Sequence, residues 1–600
     1  MDKNSVLAVI LISLIMTVWL VWFSPQPPPQ APIDSTPAVI EDSAVVREQA
    51  PRETEIAAPD SLLSPATTGE ERPIRVETDR YVALLSTRGG SIRSFQLKEY
   101  FQFDQRTPVE IVDPSSDGAL SIEFTSTSSH LVSTKDLYFE TDAPSDIDAG
   151  DAPVNVEFTA ALGTGALRLI YTFNPDSYQV DLTVEKENPS SFISRSGYEI
   201  VWNGGVPFSE GGTTQEANVS AALAHSGGEV EQINLVSDPE ESVILNGAVD
   251  WIAVRNGFFA AVLIPGFETN GAELEGQRLT DAAGAVLRED YSARLLATGV
   301  TAEPDAFRVY MGPIDYYEIR DYGLNLYDIV DYGFGQTLTR PIAKYLILPV
   351  FHVLSRFVES YGLIIIIFAI FIKLILHPLT KSSFKSMAKM RQLQPKMQEI
   401  KEKYGDDAQK QQQAMMKLYK ESGVNPIGGC LPQLLQLPIL YALFRFFPSA
   451  IEIRQEGFLW CTDLSAPDVL LQLPFSLPIY GSHVSGFPLL MSAAMVLQMR
   501  LQGTQQQTGQ MKVMMTIMPI FILVIFNQFA AGLSLYYLMY NILSAIQQQF
   551  VNKQIEEEDA ASESAEPKKA KGGSKPPPKP SGKSKKESSG RSKRVRSARQ

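Results

Sequence analysis

The hydrophobic positions of this chain fall into two regimes that meet near residue 340. Before that point, apolar and polar residues alternate in short runs. In "YQVDLTVE", Tyr178, Val180, Leu182 and Val184 share one side of an extended strand, and Gln179, Asp181, Thr183 and Glu185 share the other. "RLIYTF", "RPIRVET", "VNVEFTA" and "FFAAVLI" read similarly, with Gly-Gly, Asn-Pro and Asp-Gly pairs as punctuation. Strands at this density over residues 73–325 predict an all-β sandwich.

Beyond residue 340 the apolar residues crowd into segments close to bilayer length, at about 361–377, 427–447, 487–502, 513–530 and 532–550. Residues 341–359, "PIAKYLILPVFHVLSRFVE", are apolar at helical spacing with Lys344, Arg356 and Glu359 on the other side, which predicts a helix lying in the outer interface. At the other end of the chain, Val6–Phe23 is an 18-residue run without a charge. It reads as a transmembrane anchor (residues 1–23) or as a cleaved signal peptide. Its length and the absence of a small-x-small site favour the anchor. Residues 24–72, rich in Pro, Ala, Ser and Glu without a period, predict a flexible linker. The fold class expected is therefore a polytopic α-helical membrane protein. It would have six transmembrane helices, five of them in a core over 361–550, and a large extracytoplasmic β-sandwich.

Between the second and third spans, residues 380–424 predict a cytoplasmic helical hairpin. Phe384, Met387, Met390, Leu393, Met397, Ile400 and Tyr404 recur every three or four residues, and Gly405-Asp406-Asp407 ends that helix. A second helix then runs to Gly423 and Pro426, and Pro395 should kink or weaken the first. The methionines, including Met415 and Met416, read either as the packing seam of the hairpin or as an adaptable apolar surface.

Charge assigns sides to these segments. Residues 24–339 carry 50 acidic and 19 basic side chains, a net charge of −31. Residues 377–427 carry 10 basic and 5 acidic, and residues 568–600 carry 13 basic and 1 acidic. Lys and Arg concentrate on the cytoplasmic side of short loops, so both termini and the hairpin come out cytoplasmic and the acidic domain outside. The tail at 551–600 reads as a basic disordered segment able to meet ribosomal RNA phosphates or anionic lipid headgroups.

The candidate chemistry lies inside the membrane segments. "IIIIFAIFIKLILHPLTK" holds Lys373 in an otherwise hydrocarbon run. A cation at helix centre costs roughly 2.5–3.5 kcal/mol on insertion scales. Lys373 either snorkels to the cytoplasmic interface or sits in a hydrated hollow. The polar residues of other spans, Gln433, Gln436, Asn527, Gln528, Ser534, Tyr536, Tyr537 and Asn541, read singly as helix–helix glue and jointly as the lining of such a hollow. No Asp or Glu falls within the last five spans, so coupling to an ion gradient is poorly supported. No P-loop, G-x-S-x-G or H-E-x-x-H string occurs, and Cys430 and Cys461 define neither a metal site nor a disulfide scaffold. An enzyme is not expected, and no cofactor is implied.

Two long strings carry a family resemblance. "PLTKSSFKSMAKMRQLQPKMQEIKEKYGDD…MMKLYKESGVNPIGGCLPQLLQLPILYALFRFF" and "MPIFILVIFNQFAAGLSLYYLMYNILSAIQQQF" resemble the YidC/Oxa/Alb family of membrane protein insertases, densely over about 340–553. The anchor and sandwich resemble its Gram-negative bacterial form. The resemblance implies a hydrophilic groove open to cytoplasm and lipid, with Lys373, Gln436, Tyr536 and Tyr537 at its polar positions, and the polar reading of the spans adds Asn527 to the expected lining. It also implies a hairpin that receives substrates, through Met387, Met390, Met397, Met415 and Met416. Its implied partners are nascent membrane proteins, the Sec translocon, the ribosome and membrane lipids. Lys373 stands where the family usually has Arg, and Ala369 where some members have Thr, so the charge is kept while the planar fork and one donor are not. The sandwich resembles a carbohydrate-mutarotase supersandwich, which by itself implies no sugar chemistry. The competing readings are a transporter or channel for a small anion using the same cation, and a membrane-anchored outer sugar-binding protein.

Overall fold

The computed structural model describes residues 63, 65–236, 238–281, 286–297, 301–330, 336–405, 407–424, 431–477, 479–501 and 509–565. The expected N-terminal anchor, most of the linker, Cys430 and the basic segment from residue 566 lie outside these residues.

Residues 73–313 form three antiparallel-dominated sheets. An eight-stranded sheet runs in the spatial order Glu229–Ile233, Ala221–Ser226, Val249–Arg255, Phe259–Pro265, Asp305–Pro313, Gln179–Glu187, Gly165–Phe173, Val154–Leu162. A six-stranded sheet runs Glu240–Asn246, Thr269–Thr280, Val286–Ala297, Ile193–Asn203, Leu120–Ser126, Leu131–Ser133. A five-stranded sheet at the N-terminal edge is centred on Tyr81–Ser86. The alternation read in "YQVDLTVE" is the observed one: Val180, Leu182 and Val184 are buried and the residues between them are not. The same face continues to Lys186. Because that position must point inward, its ammonium is buried, and it is neutralised by Asp305 and placed 5.1 Å from the Tyr198 ring centroid.

The helical part begins with Gln336–Ile342 and a π-helical stretch, Ala343–Ile347, that lead without interruption into α1 (Leu348–Ser355). The helix expected at 341–359 thus starts and ends earlier. Tyr345 and Val353 on it, and Phe357 just past its end, are more than half exposed. On its inner side Phe351 packs on Phe368, Phe446 and Phe447.

Next comes α2 (Tyr361–Gln392), the one helix among the described residues both long and apolar enough to cross a membrane. It runs through Pro378 and past the expected span end, so the hairpin does not begin at 380. The hydroxyl of Thr380 bonds the Leu376 carbonyl in the turn that Pro378 interrupts, at 2.9 Å. The break falls instead at Leu393, because Pro395 lacks the N–H a helix interior needs and is favoured in a first turn. The hairpin proper is α3 (Gln394–Tyr404) and α4 (Ala408–Glu421), separated by Gly405 at φ +44°, with Asp407 capping α4 through Lys410 N at 3.1 Å.

The shorter apolar helices are α5 (Leu431–Phe446), α6 (Gly486–Leu501) and α7 (Gly509–Phe526). The last helix, α8 (Ala531–Ala565), packs most extensively on α6 and α2. It continues 15 residues beyond the expected span end, so residues 551–565 are helical where a disordered segment was expected, and the rest of that expectation falls outside the described residues. The cause is local and tertiary together: residues 551–565 are rich in Glu and Ala, and Val551 and Ile555 bury against Phe384 and Ala388 of α2.

The β-domain is fastened to the loop between α5 and α6. The Arg454 guanidinium donates to Glu210 at 2.7 Å and to the Phe101 carbonyl at 2.6 Å, over the rings of Phe258 and Phe259. Gln455 donates to the Phe101 and Gln102 carbonyls. Nearby, burial, with Asp315 close by, pushes the Glu452 carboxyl from its ordinary 4.5 up to about 7. Between those values the folded chain holds a proton that the unfolded chain has released, so stability falls as pH rises through that window. Glu452→Gln is expected to raise the thermal midpoint at pH 8, by up to roughly 2–3 kcal/mol in stability, with the gain shrinking toward pH 5. An equal gain at both pH values would refute this assignment.

Candidate functional site: a polar seam around Lys373

Lys373 lies on α2 four residues before His377 and is 9% exposed. Its ammonium donates to the Ser544 hydroxyl at 2.5 Å and sits 4.2 Å from the Tyr540 ring centroid and 5.3 Å from that of Phe384. Ser544 in turn donates to the Tyr540 carbonyl at 2.7 Å. Among the described residues no carboxylate pairs with Lys373, and one hydroxyl engages one of its three donors. Two aromatic faces and a hydroxyl moderate the charge without cancelling it.

Two turns along α8, about 12 Å away by helix rise, Gln436 of α5 donates to the Tyr536 hydroxyl at 2.5 Å. Both side chains are fully buried, with Phe368 against the tyrosine ring. Ser534, Asn541, Ser544, Gln548 and Asn552 recur along α8 at steps of seven, three, four and four residues, so they fall along one face, and all are buried. Gln548 donates to Asn552, which donates to the Leu501 carbonyl. Four buried atoms of this seam, Gln436 Oε1, Ser534 Oγ, Asn541 Nδ2 and Gln548 Oε1, meet no partner among the described residues. Each such atom costs about 1–3 kcal/mol unless something polar reaches it. A seam carrying four of them, three on α8 and one on α5, is suited to water or to a transient polar chain.

The structure therefore brings Lys373, Gln436 and Tyr536 to one region between α2, α5 and α8. Tyr537 lies beside it, its ring between Phe526 and Tyr540. Asn527 does not belong to this seam. It sits just past α7, accepts from Ser485 N at 2.9 Å, and donates to the carbonyls of Tyr480 and His483 at 2.9 and 2.7 Å. These three bonds tie it to the loop that carries Tyr480, His483 and Ser485, so Asn527 is a fastener of that loop. Ser544, Gln548 and Asn552 were missed by sequence reasoning, although their three-and-four spacing on an apolar helix was a usable signal.

Of the hairpin methionines, Met416 is 54% exposed, Met390 and Met415 are half-buried, and Met397 meets the Tyr419 hydroxyl at 3.8 Å. The two readings of the methionines divide accordingly: Met397 is in the seam and Met416 faces outward. The Met387 side chain lies outside the described positions. Cys461 is a buried thiol that donates to the Asp463 carbonyl.

A three-sheet all-β domain thus stands beside an apolar helical unit in which Lys373 is buried with no carboxylate partner among the described residues. The family described as 60Kd inner membrane protein matches residues 353–558, and the YidC periplasmic domain matches residues 73–345. The membrane protein insertase YidC of Prosthecochloris aestuarii is 39% identical over 93% of this chain and 96% of its own length. That of Chloroherpeton thalassium is 38% identical over 95% and 99%. The crystal structure of an active YidC insertase with its first transmembrane domain resolved is 19% identical, covers 81% of this chain and 95% of that one, and aligns with a TM-score of 0.33. The chain belongs to the YidC membrane protein insertase family. Its named relatives are insertases and not enzymes.

Proposed function

We propose that this chain moves hydrophobic segments of newly made proteins from the cytoplasm into the inner membrane, through a polar groove whose positive charge is Lys373. The observation that carries this reading is a cation buried between α2 and α8 with no acidic partner among the described residues. Such a group attracts the acidic or polar flank of an arriving segment and releases it, because nothing covalent or bidentate holds it. Orphaned polar atoms along α8 and on Gln436 shorten the apolar distance that flank must traverse. Lys373, Gln436, Tyr536 and Tyr537 form the groove wall in this proposal.

The topology that goes with it has six spans and both termini in the cytoplasm, supported by the basic hairpin and tail and by the acidic outer domain. The hairpin α3–α4 receives substrates, with Met416 as its exposed apolar contact. The basic tail docks the ribosome or anionic lipid, and the chain works alone or beside the Sec translocon. Site-specific crosslinking from position 373 to a stalled nascent membrane protein tests the proposal. Adducts at 373 but not at the outward-facing Leu374 are expected. Equal yields at both positions, or none at 373, would sink it.

A further inference from the structure

The loop between α5 and α6 carries a two-stranded antiparallel hairpin, Val469–Leu477 paired with Gly481–Ser485. Its surface is unlike that of any water-facing strand in the β-domain. Val469, Leu470 and Leu471 are 51%, 54% and 59% exposed; Leu471 and Gln472, consecutive residues paired in register with Val484 and His483, are both exposed, so both faces are uncovered. Phe475, Leu477 and Ile479 extend the apolar surface to the tip. No Asp, Glu, Lys or Arg occurs between Asp468 and Arg500, so one charge-free stretch runs from this hairpin into α6. On the β-domain the exposed large apolar residues stand apart in sequence, such as Leu131, Ile244 and Leu287. In water, an uncharged strand pair with this much exposed apolar side chain is an aggregation hazard.

The position of the hairpin is set by the helices. Ser485 leads directly into α6 at Gly486, and Asn527 and Gln528, just past α7, bind the hairpin backbone at Ser485, Tyr480, His483 and Ile479. It therefore starts at the level where two apolar helices end, on the side of the β-domain that Arg454 fastens. Trp460, 41% exposed and donating to Asp468, stands at its base and Tyr480 in its turn, the residue types that favour the membrane–water boundary.

We propose that this hairpin lies in the outer-leaflet interface of the bilayer, its side chains in lipid, as an apolar float beside the extracytoplasmic ends of α6 and α7. Lipid is the occupant because the apolar surface is continuous with the exposed Leu489, Leu490 and Leu497 of α6. Depth is limited by the backbone. The outer edges of a two-stranded ladder keep unpaired N–H and C=O groups, which hydrocarbon does not satisfy, so the ladder rides at headgroup level. The inference concerns membrane seating and holds whether or not the Lys373 groove acts as proposed.

Full-length chain in nanodiscs provides the test, with Cys430→Ser and the buried Cys461 left in place. Nitroxide labels at Leu471→Cys and Phe475→Cys are expected to collide several-fold more with oxygen than with a polar nickel chelate, and a label at Ile244→Cys to show the reverse. Nickel accessibility equal to that at Ile244 overturns the proposal. Shielding from both reagents, the mark of a protein partner such as a second copy, overturns it too. Should a labelled variant fail to fold, photoactivatable phosphatidylethanolamine on the unmodified chain reads the same contact. Adducts in 469–485 are expected, and adducts confined to the helices would overturn it.

Discussion

Lys373→Glu is expected to abolish insertion of substrates with acidic flanks, Lys373→Ala to reduce it roughly tenfold, and Lys373→Arg to retain it. A tenfold loss corresponds to about 1.4 kcal/mol of attraction, well within the ~4 kcal/mol available to unit charges 4 Å apart at an effective dielectric of 20. What separates a working charge from a structural one is stability. Lys373 has one hydroxyl partner and no counter-ion among the described residues, so removing its charge relieves desolvation. The Ala variant should therefore melt no lower than the parent while inserting less. Insertion measured on reconstituted vesicles, alongside thermal unfolding, checks both halves. An Ala variant of full activity would mean the ammonium merely snorkels to the interface. An Ala variant that is inactive only because it unfolds would make Lys373 structural.

Arg454→Ala should loosen the β-domain from the helical part. The Arg454 side chain is 2% exposed, and it satisfies Glu210 and the Phe101 carbonyl together. Its loss strands a mostly buried carboxylate, a change worth about 3–5 kcal/mol. Arg454→Lys should recover only part of this, since one ammonium does not reproduce the fork that reaches both acceptors. Adding Glu210→Gln to Arg454→Ala should restore stability partially, because the stranded charge disappears. Thermal unfolding and limited proteolysis of the loop at 447–468 in the three variants measure this. If Arg454→Ala melts with the parent, the fastening is only a contact of convenience.

Local patterns made much of this fold legible. Period-two alternation placed Val180, Leu182 and Val184 on the core face, and helical spacing located α3 and α4 with the break at Gly405. Failures came where a local rule met a tertiary contact. Pro378 and the charged residues after 377 suggested a helix end, yet α2 persists to Gln392 because Phe384 and Ala388 bury against Val551 and Ile555 of α8. The same contact holds residues 551–565 helical where composition alone suggested disorder. Asn527 resembles Gln436 in kind, a polar residue in an apolar string. Only the fold distinguishes a fastener bound to three loop residues from a seam residue.

The amino-acid order by itself determined the partition into a strand-rich acidic domain and an apolar helical part, the presence of one cation in a hydrocarbon run, and the sign of charge on each flank. Those properties follow from backbone period and transfer free energy, which act within a few residues. Tertiary structure alone decided that Lys373 meets Ser544, that Gln436 meets Tyr536, and that Arg454 meets Glu210. Each pair is separated by 100 residues or more, and nothing in either neighbourhood prefers its partner until packing of the helices and sheets brings the two side chains within reach.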